Sequence, residues 1–356
     1  MIKKWVYLFV FTLISGCASQ GPKHLEASRG SYNNVLQQTN QEQLLLNLVR
    51  LKYRDTPYFL EVSGLASQLS LSTQIKSKAS LLPSVSDNYA LEGSLGYTEK
   101  PTISYSPLQG DKFVKRLLTP VSADKIILLY RSGWSIERVL RLTVQRINGI
   151  KNAPSASGPT PNYVPEFQAF VKATKIMREL QKQDGLKFYY AMHQNTPVLV
   201  MDLLSSDVSQ KTSELLQTLK LPLQTTYYFA SDNLTKNNQQ FTSLETRSML
   251  GMLFFLSQNI AVPEVHRQAG LVTVTRQQNN SEFNWNEVSG DLLKIKSSSS
   301  KPAQSAVSVH YRGYWFYIDD ADLPSKSTFS MLSELFSLQS GNSKQVAPVL
   351  TLSVGN

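Results

Sequence analysis

The chain has 356 residues, of which 41% are hydrophobic and 17% charged, with 17 Gly, 16 Pro and a formal charge of +10. These values exclude a collagen-like repeat, a wholly disordered chain and a long coiled coil. No run of about 20 apolar residues occurs, which excludes a polytopic helical membrane protein, and the apolar content suffices for a sizeable core.

Residues 1–16 read as an export signal. Lys3 and Lys4 form its positive end, and Trp5 to Ile14 form an apolar stretch too short to stay in a bilayer as a span. Ile14-Ser15-Gly16-Cys17 resembles the bacterial lipobox, in which the signal is cut before the Cys and that Cys is acylated. Cys17 is the only Cys in the chain, so no intramolecular disulfide is open to it. Each buried methylene adds about 0.8 kcal/mol, so multiple palmitate-type chains would anchor the protein stably. Ala18 and Ser19 follow the Cys; in the lipoproteins it resembles, an Asp there retains the protein at the inner membrane, so its absence implies the outer membrane, on the periplasmic side. Removing 16 residues leaves 340, and losing Lys3 and Lys4 lowers the formal charge from +10 to +8. The basic excess is spread without a Lys/Arg block. It reads as a solvated, mildly basic surface, compatible with anionic lipid, peptidoglycan or an acidic partner. Export leaves nucleic acid an improbable partner.

Residues 17–23 form a lipidated tether. From 24 to 53 a long helix is expected, because Leu44, Leu45, Leu48 and Leu51 repeat at the spacing of one buried stripe. Arg50, Lys52 and Arg54 suit its C-terminal end, and Thr56-Pro57 stops it. Residues 58–75 and 94–105 alternate apolar with small polar positions and read as extended. Between them, 76–93 reads as a polar hairpin or mobile loop. Helices are expected over 109–118, 122–132 and 135–149, the last with Arg138, Arg141 and Arg146 outside. Residues 24–150 would then be an N-terminal α+β domain. Residues 151–165 carry Pro154, Pro159, Pro161 and Pro165 among Ser and Gly and read as a linker.

Residues 166–356 read as a C-terminal α+β domain. The expected order is helix 166–183, strands 186–192 and 197–203, helix 207–219, strand 223–230 and helix 243–258. Strands 271–276, 291–296, 305–311 and 314–318 follow, with 297–300 as a hairpin tip, then helix 323–339 and strand 349–354. The fold class is α+β: a long N-terminal helix, antiparallel or mixed sheets with packed helices, and two subdomains.

The chemistry-bearing residues are sparse. His24, His193, His266 and His310 are scattered, with no zinc or haem spacing. Asp319, Asp320 and Asp322 form the only dense carboxylate group, and their place before Leu323-Pro324 favours helix capping over metal binding. Ser122-Ala123-Asp124-Lys125 and Ser231-Asp232-Asn233 match two of three penicillin-binding motifs. The third, K-T-G, is missing after residue 233, and Lys211-Thr212-Ser213 comes too early. Gly93 and Gly96 do not make a phosphate loop. No catalytic, metal or cofactor site is therefore expected. The most unusual stretch is His310-Tyr311-Arg312-Gly313-Tyr314-Trp315-Phe316-Tyr317-Ile318. Its Tyr311, Arg312, Tyr314, Trp315 and Tyr317 form a candidate interaction surface, and Val307, Val309 and Tyr311 are expected to line a core face, with Trp315 in the core.

Residues 44–60, 101–120, 133–152, 309–332 and 348–355 resemble segments of a proteobacterial outer-membrane-type lipoprotein family. No activity is attached to that family, so no catalytic residue is carried over. Two readings follow. The first is a non-catalytic outer-membrane lipoprotein facing the periplasm, a structural or interaction component of an envelope assembly such as a secretion machine, with an envelope protein as partner. The second is a protein binding or hydrolysing cell-wall glycan or peptide.

Overall fold

The computed structural model describes residues 20–79, 89–108, 110–193, 195–204, 210–231, 235 and 240–340. They form an α+β fold in two compact units. One contains residues up to 57 and 114–340, and the other contains residues 58–113.

The larger unit begins with helix α1 (Gln20–Lys52). Leu44, Leu45, Leu48 and Leu51 are buried as the stripe requires. Asn47, Val49 and Lys52 are buried as well, so the last turns of α1 are enclosed on most sides. After α2 (Asp111–Leu118) come α3 (Ala123–Arg131) and α4 (Ile136–Thr143), then the short strands β3 (Val144–Ile147) and β4 (Ile150–Lys151). A 3₁₀ turn (Pro154–Ser157) and α5 (Gln168–Lys182) lead to β5 (Leu186–His193) and β6 (Thr196–Leu203). Next are α6 (Gln210–Leu219), β7 (Thr226–Ala230), β8 (Phe241–Thr246), α7 (Met249–Ser257), α8 (Glu264–Gln268) and α9 (Asn286–Ser289). Strands β9 (Lys296–Ser298), β10 (Ser305–Tyr311) and β11 (Tyr314–Asp319) precede α10 (Leu323–Ser340).

Six strands form a mixed sheet in the order β4-β3-β8-β7-β6-β5, with β7 and β8 parallel and the other pairs antiparallel. Val198, Leu199, Val200 and Met201 of β6 are all buried, as in a strand covered on both faces. Helix α7 carries the run Met-Leu-Gly-Met-Leu-Phe-Phe-Leu and is buried along its length against α1. A second sheet, β10-β11-β9, meets α1 through β10.

Several sequence expectations are corrected. The helix expected over 135–149 ends at Thr143, because the buried guanidinium of Arg247 accepts no helical continuation there. It donates to the carbonyls of Leu142 and Val144 at 3.2 and 2.7 Å, taking oxygens that a further turn would use. Residues 241–246, expected partly as helix, form β8 because they pair with β3 and β7. Residues 271–276 form no strand; Arg276 makes only an isolated bridge to Glu282. Ser297 and Ser298 are not a hairpin tip but pair with Phe316 and Trp315. The strand expected at 349–354 lies outside the described residues.

The Pro-rich segment 151–165 is packed rather than free. Asn152, Ala153, Ala156 and Thr160 are buried, and the Asn152 amide donates to the carbonyls of Arg141 and Val144 at 2.9 and 2.7 Å. Its 3₁₀ turn lies on α7, where Gly251 leaves room: a Cβ there would stand 3.4 Å from that of Ser157. The two compact units divide on either side of residues 58–113.

The smaller unit is a two-stranded antiparallel hairpin of β1 (Leu60–Ala79) and β2 (Tyr89–Pro107). Pairing is continuous from Gly64↔Ser104 to Ala79↔Tyr89, with one irregularity between Val62 and Gly64. Both strands run well beyond the extended segments read from the sequence, and they include 76–79 and 89–93 of the expected loop. At its base the Leu108 amide donates to the Phe59 carbonyl at 2.9 Å, and Phe59 meets Phe113 edge to face.

Candidate functional site

The end of α1 organises two neighbouring features. The first is aromatic. Tyr53 and His266 share a hydrogen bond at 2.7 Å between the phenol oxygen and Nδ1. The Tyr53 ring also meets Tyr311 and Phe316 edge to face, and His266 meets Tyr314 at 5.1 Å between centroids. Burial pushes the Tyr53 phenol up to about 12, so it stays neutral. At the β10–β11 turn, Arg312 has φ 49° and Gly313 φ 83°, the pair of left-handed residues that a two-residue hairpin turn needs. Arg312 Nη2 donates to Asp55 Oδ2 at 3.0 Å, and the Tyr311 hydroxyl donates to the same oxygen. Partial burial would raise the Asp55 carboxyl, but these two hydrogen bonds outweigh it and hold the group below its usual range. The turn is thereby fastened to the chain just after α1.

The candidate surface residues therefore divide. Register pairs Val309 with Phe316 and Val307 with Ile318, and all four are buried, so this is the core face. Tyr311 and Tyr314 continue it, half-buried, into the Tyr53 cluster. Trp315 and Tyr317 lie on the opposite face and are also half-buried. Placing Trp315 in the core is thus corrected: the strand alternates, and Phe316 rather than Trp315 has the core parity. The Trp315 ring is flanked by His310 at 5.3 Å and by the Lys301 ammonium at 5.2 Å. That leaves an aromatic face with cationic neighbours, Lys301 over the ring and Lys296 across from Tyr317 in the register.

The second feature is a cleft of about 540 Å³ lined by Lys52, Gln258, Arg267, Glu282, Trp285 and Lys294 among others. Lys52 is buried, and its Nζ donates to the Gln258 carbonyl at 2.8 Å. Burial, with Arg267 nearby, lowers its pKa to about 8. Arg267 is engaged by Glu264 and Glu282. Gln258 Oε1 is buried without a protein partner on this wall. The arrangement can take a small ligand that offers a donor to Gln258 and an anionic group to Lys52. Nothing in the local sequence reveals it, since its walls come from residues 52, 258–262, 267, 272–275, 282–286 and 294–296.

The remaining candidates are placed as follows. Asp322 Oδ1 accepts from the Ser325 amide at 3.1 Å and Oδ2 from its hydroxyl at 2.7 Å, which is an N-cap of α10. Asp319 pairs with Lys296 and Asp320 with Lys326. Lys125 donates to Gln339 Oε1 at 2.5 Å rather than to the Ser122 hydroxyl, and Asp232 and Asn233 lie outside the described residues. His193 stacks on Tyr228 at 4.3 Å. Gly93 and Gly96 lie within β2. Ile14, Ser15, Gly16 and Cys17 lie outside the described residues.

Two buried arginines escaped the sequence reading. Arg141, expected outside, is 1% exposed because Asp291 takes it with two oxygens at 2.5 and 2.6 Å. Arg247 is fully buried with no carboxylate: it donates to the carbonyls of Arg141, Leu142, Val144 and Asn152 and to the Ser157 hydroxyl, and lies 4.0 Å over Phe255. It ties α4, β3 and the Pro-rich segment into one body. No family model matches the chain, and neither a curated protein nor a solved structure is significantly similar to it.

Proposed function

We propose that this protein is exported, cleaved before Cys17, acylated there, and held at the periplasmic side of the outer membrane as a non-catalytic interaction component of an envelope assembly. The observation that carries the reading is Ile14-Ser15-Gly16-Cys17 behind a short apolar stretch and two lysines, in a chain with no other Cys. The resemblance of residues 44–60, 101–120, 133–152, 309–332 and 348–355 to a lipoprotein family supports it. The half-buried Trp315 and Tyr317 face, with the Lys301 ammonium over the Trp315 ring, suits a partner presenting an apolar patch with a carboxylate at its rim.

Cys17→Ser should abolish acyl labelling and leave uncleaved precursor at the inner membrane; unchanged labelling rejects the anchor. Affinity purification of the intact lipoprotein from membranes, followed by mass spectrometry, should return a stable envelope protein that Trp315→Ala releases. A second reading, binding or hydrolysis of cell-wall glycan, is favoured by the Trp315 ring alone, since sugar rings stack on such faces. Specific retention on peptidoglycan, lost in Trp315→Ala, would select it.

A further inference from the structure

The hairpin β1–β2 has the pattern of a membrane-crossing element, and the argument builds on the lipid-anchored reading above. Its register puts two kinds of residue on opposite faces. One face carries Leu69, Leu71 and Ile75 of β1 with Leu91, Leu95 and Tyr97 of β2. The other carries Ser70, Ser72 and Gln74 with Glu92, Ser94 and Thr98. From Tyr89 to Glu99 the apolar face covers about 33 Å of strand, or about 25 Å of depth at a tilt of about 40°, the height of the apolar band in outer-membrane barrels. Tyr89 and Tyr97 stand near the two ends of this band, where such barrels carry aromatic girdles, and Glu99 and Pro101 mark where it stops. Thr73, Ser77 and Gly93 interrupt the face with small residues only.

A two-stranded hairpin is marginal in water, and in lipid its bare edges would leave backbone groups unpaired, so only a closed barrel crosses a bilayer. Among the described residues no third strand borders either β1 or β2. We propose that hairpins of several copies of this chain pair edge to edge, β2 of one copy with β1 of the next, into a barrel that crosses the outer membrane with its apolar face on lipid. The smallest such barrels have about eight strands, which requires about four copies or more. Charge points to a second copy as the neighbour. Lys76 is register partner to Glu92 within each hairpin, and in a ring the same two positions meet at similar height across every junction. Within the band, the register positions of the lumen parity hold Lys76 and Lys78 against Glu92, so the pore is net positive and favours anions.

The test uses the full-length lipoprotein reconstituted alone into phosphatidylethanolamine–phosphatidylglycerol vesicles. Cys17 is acylated in that form, so single substitutions Ser70→Cys, Leu71→Cys, Ser72→Cys, Thr73→Cys, Gln74→Cys and Ile75→Cys report one position each. A water-soluble maleimide should label positions 70, 72 and 74 at least about tenfold faster than 71, 73 and 75, because only one face meets water. The protein should also run as an SDS-resistant oligomer and form anion-selective channels in planar bilayers, and joint Lys76→Glu and Lys78→Glu substitution should shift them toward cations. Equal labelling of both faces, with a monomer in mild detergent, overturns the proposal. The mass of the mature protein reads acylation separately. Alternating labelling without acyl chains sinks the anchor and leaves the barrel, and acylation with equal labelling does the reverse.

Discussion

The mixed six-stranded sheet and the hairpin β1–β2 use similar apolar residues in opposite ways. In β6, four successive residues from Val198 to Met201 are buried, so both faces are covered by the same chain. In β1 and β2 the apolar residues occupy alternate positions over nearly the whole length, which assigns them to one face and leaves the other polar. The six-stranded sheet ends in the two-residue strand β4 on one side, whereas among the described residues no further strand borders either long edge of the hairpin. The first is completed within the chain, and the assembly proposed above would complete the second. The comparison can be broken by asking which residues the body's stability depends on.

The largest effect is expected at Arg247. Arg247→Met removes a charged donor from four buried carbonyls and the Ser157 hydroxyl, of which the Arg141 and Val144 carbonyls keep the Asn152 amide. At about 1.5–3 kcal/mol for each bond to a charged group left unreplaced, the loss should be about 4–5 kcal/mol in urea unfolding. Arg247→Lys should recover only part, because one ammonium has three donors where the guanidinium has five. A loss under about 1 kcal/mol would show that water reaches these carbonyls and that the body is less tightly joined than its hydrogen bonds indicate.

Next come the two faces of β11. Phe316 is fully buried, and Phe316→Ala should cost about 3–5 kcal/mol. Trp315→Ala should cost about 1 kcal/mol or less by the same urea unfolding, because the ring lies on the outer face. Equal losses would place Trp315 back in the core and remove it as a partner surface.

The cleft gives a pH signature. Lys52 loses its proton near pH 8 in the folded protein and near 10.5 in the unfolded chain. Between these values the unfolded chain holds the extra proton, so stability rises with pH; below pH 8 both states are protonated and the buried cation penalises folding. At about 1.36 kcal/mol per unit, the rise from pH 8 to 10 should be about 2–3 kcal/mol, and Lys52→Met should abolish it. Parallel pH profiles for the two proteins would show that Lys52 is solvated in solution.

The sequence showed elements whose stabilising contacts are local in pattern. The α1 stripe, α5, β5, β6 and the Asp322 cap of α10 are readable because helix period, strand alternation and capping each repeat within a few residues. What escaped depends on partners far along the chain. Arg141 is carried inward by Asp291, and Arg247 ends α4 from about a hundred residues away. Residues 151–165 have a linker's composition but are ordered by Asn152 and by contact with α7. The cleft around Lys52 has no local signature at all. The hairpin was half legible: its alternation marked 58–75 and 94–105 as extended, but Lys76, Lys78 and Gly93 disguised the remaining pairs as a loop.

The smallest effect should come from the hairpin itself. Leu71→Asn puts an amide in the middle of the apolar face of β1. If that face is buried within a single copy, as β6 is, an unpaired amide there should cost several kcal/mol in the monomer. If the face is reserved for lipid, the monomer in water has nothing to lose. Unfolding of the soluble protein lacking residues 1–17 should then shift by no more than about 0.5 kcal/mol, as at an ordinary surface position. Val200→Asn supplies the control: Val200 is fully buried in β6, and the same side chain there should destabilise the body by about 3 kcal/mol or more. A large loss in both variants would mean that the hairpin's apolar face is covered by its own chain, and the contrast between the two sheets would vanish. A silent Leu71→Asn beside a damaged Val200→Asn leaves the hairpin's apolar pattern without a purpose in the isolated fold, which is what assembly in a membrane supplies.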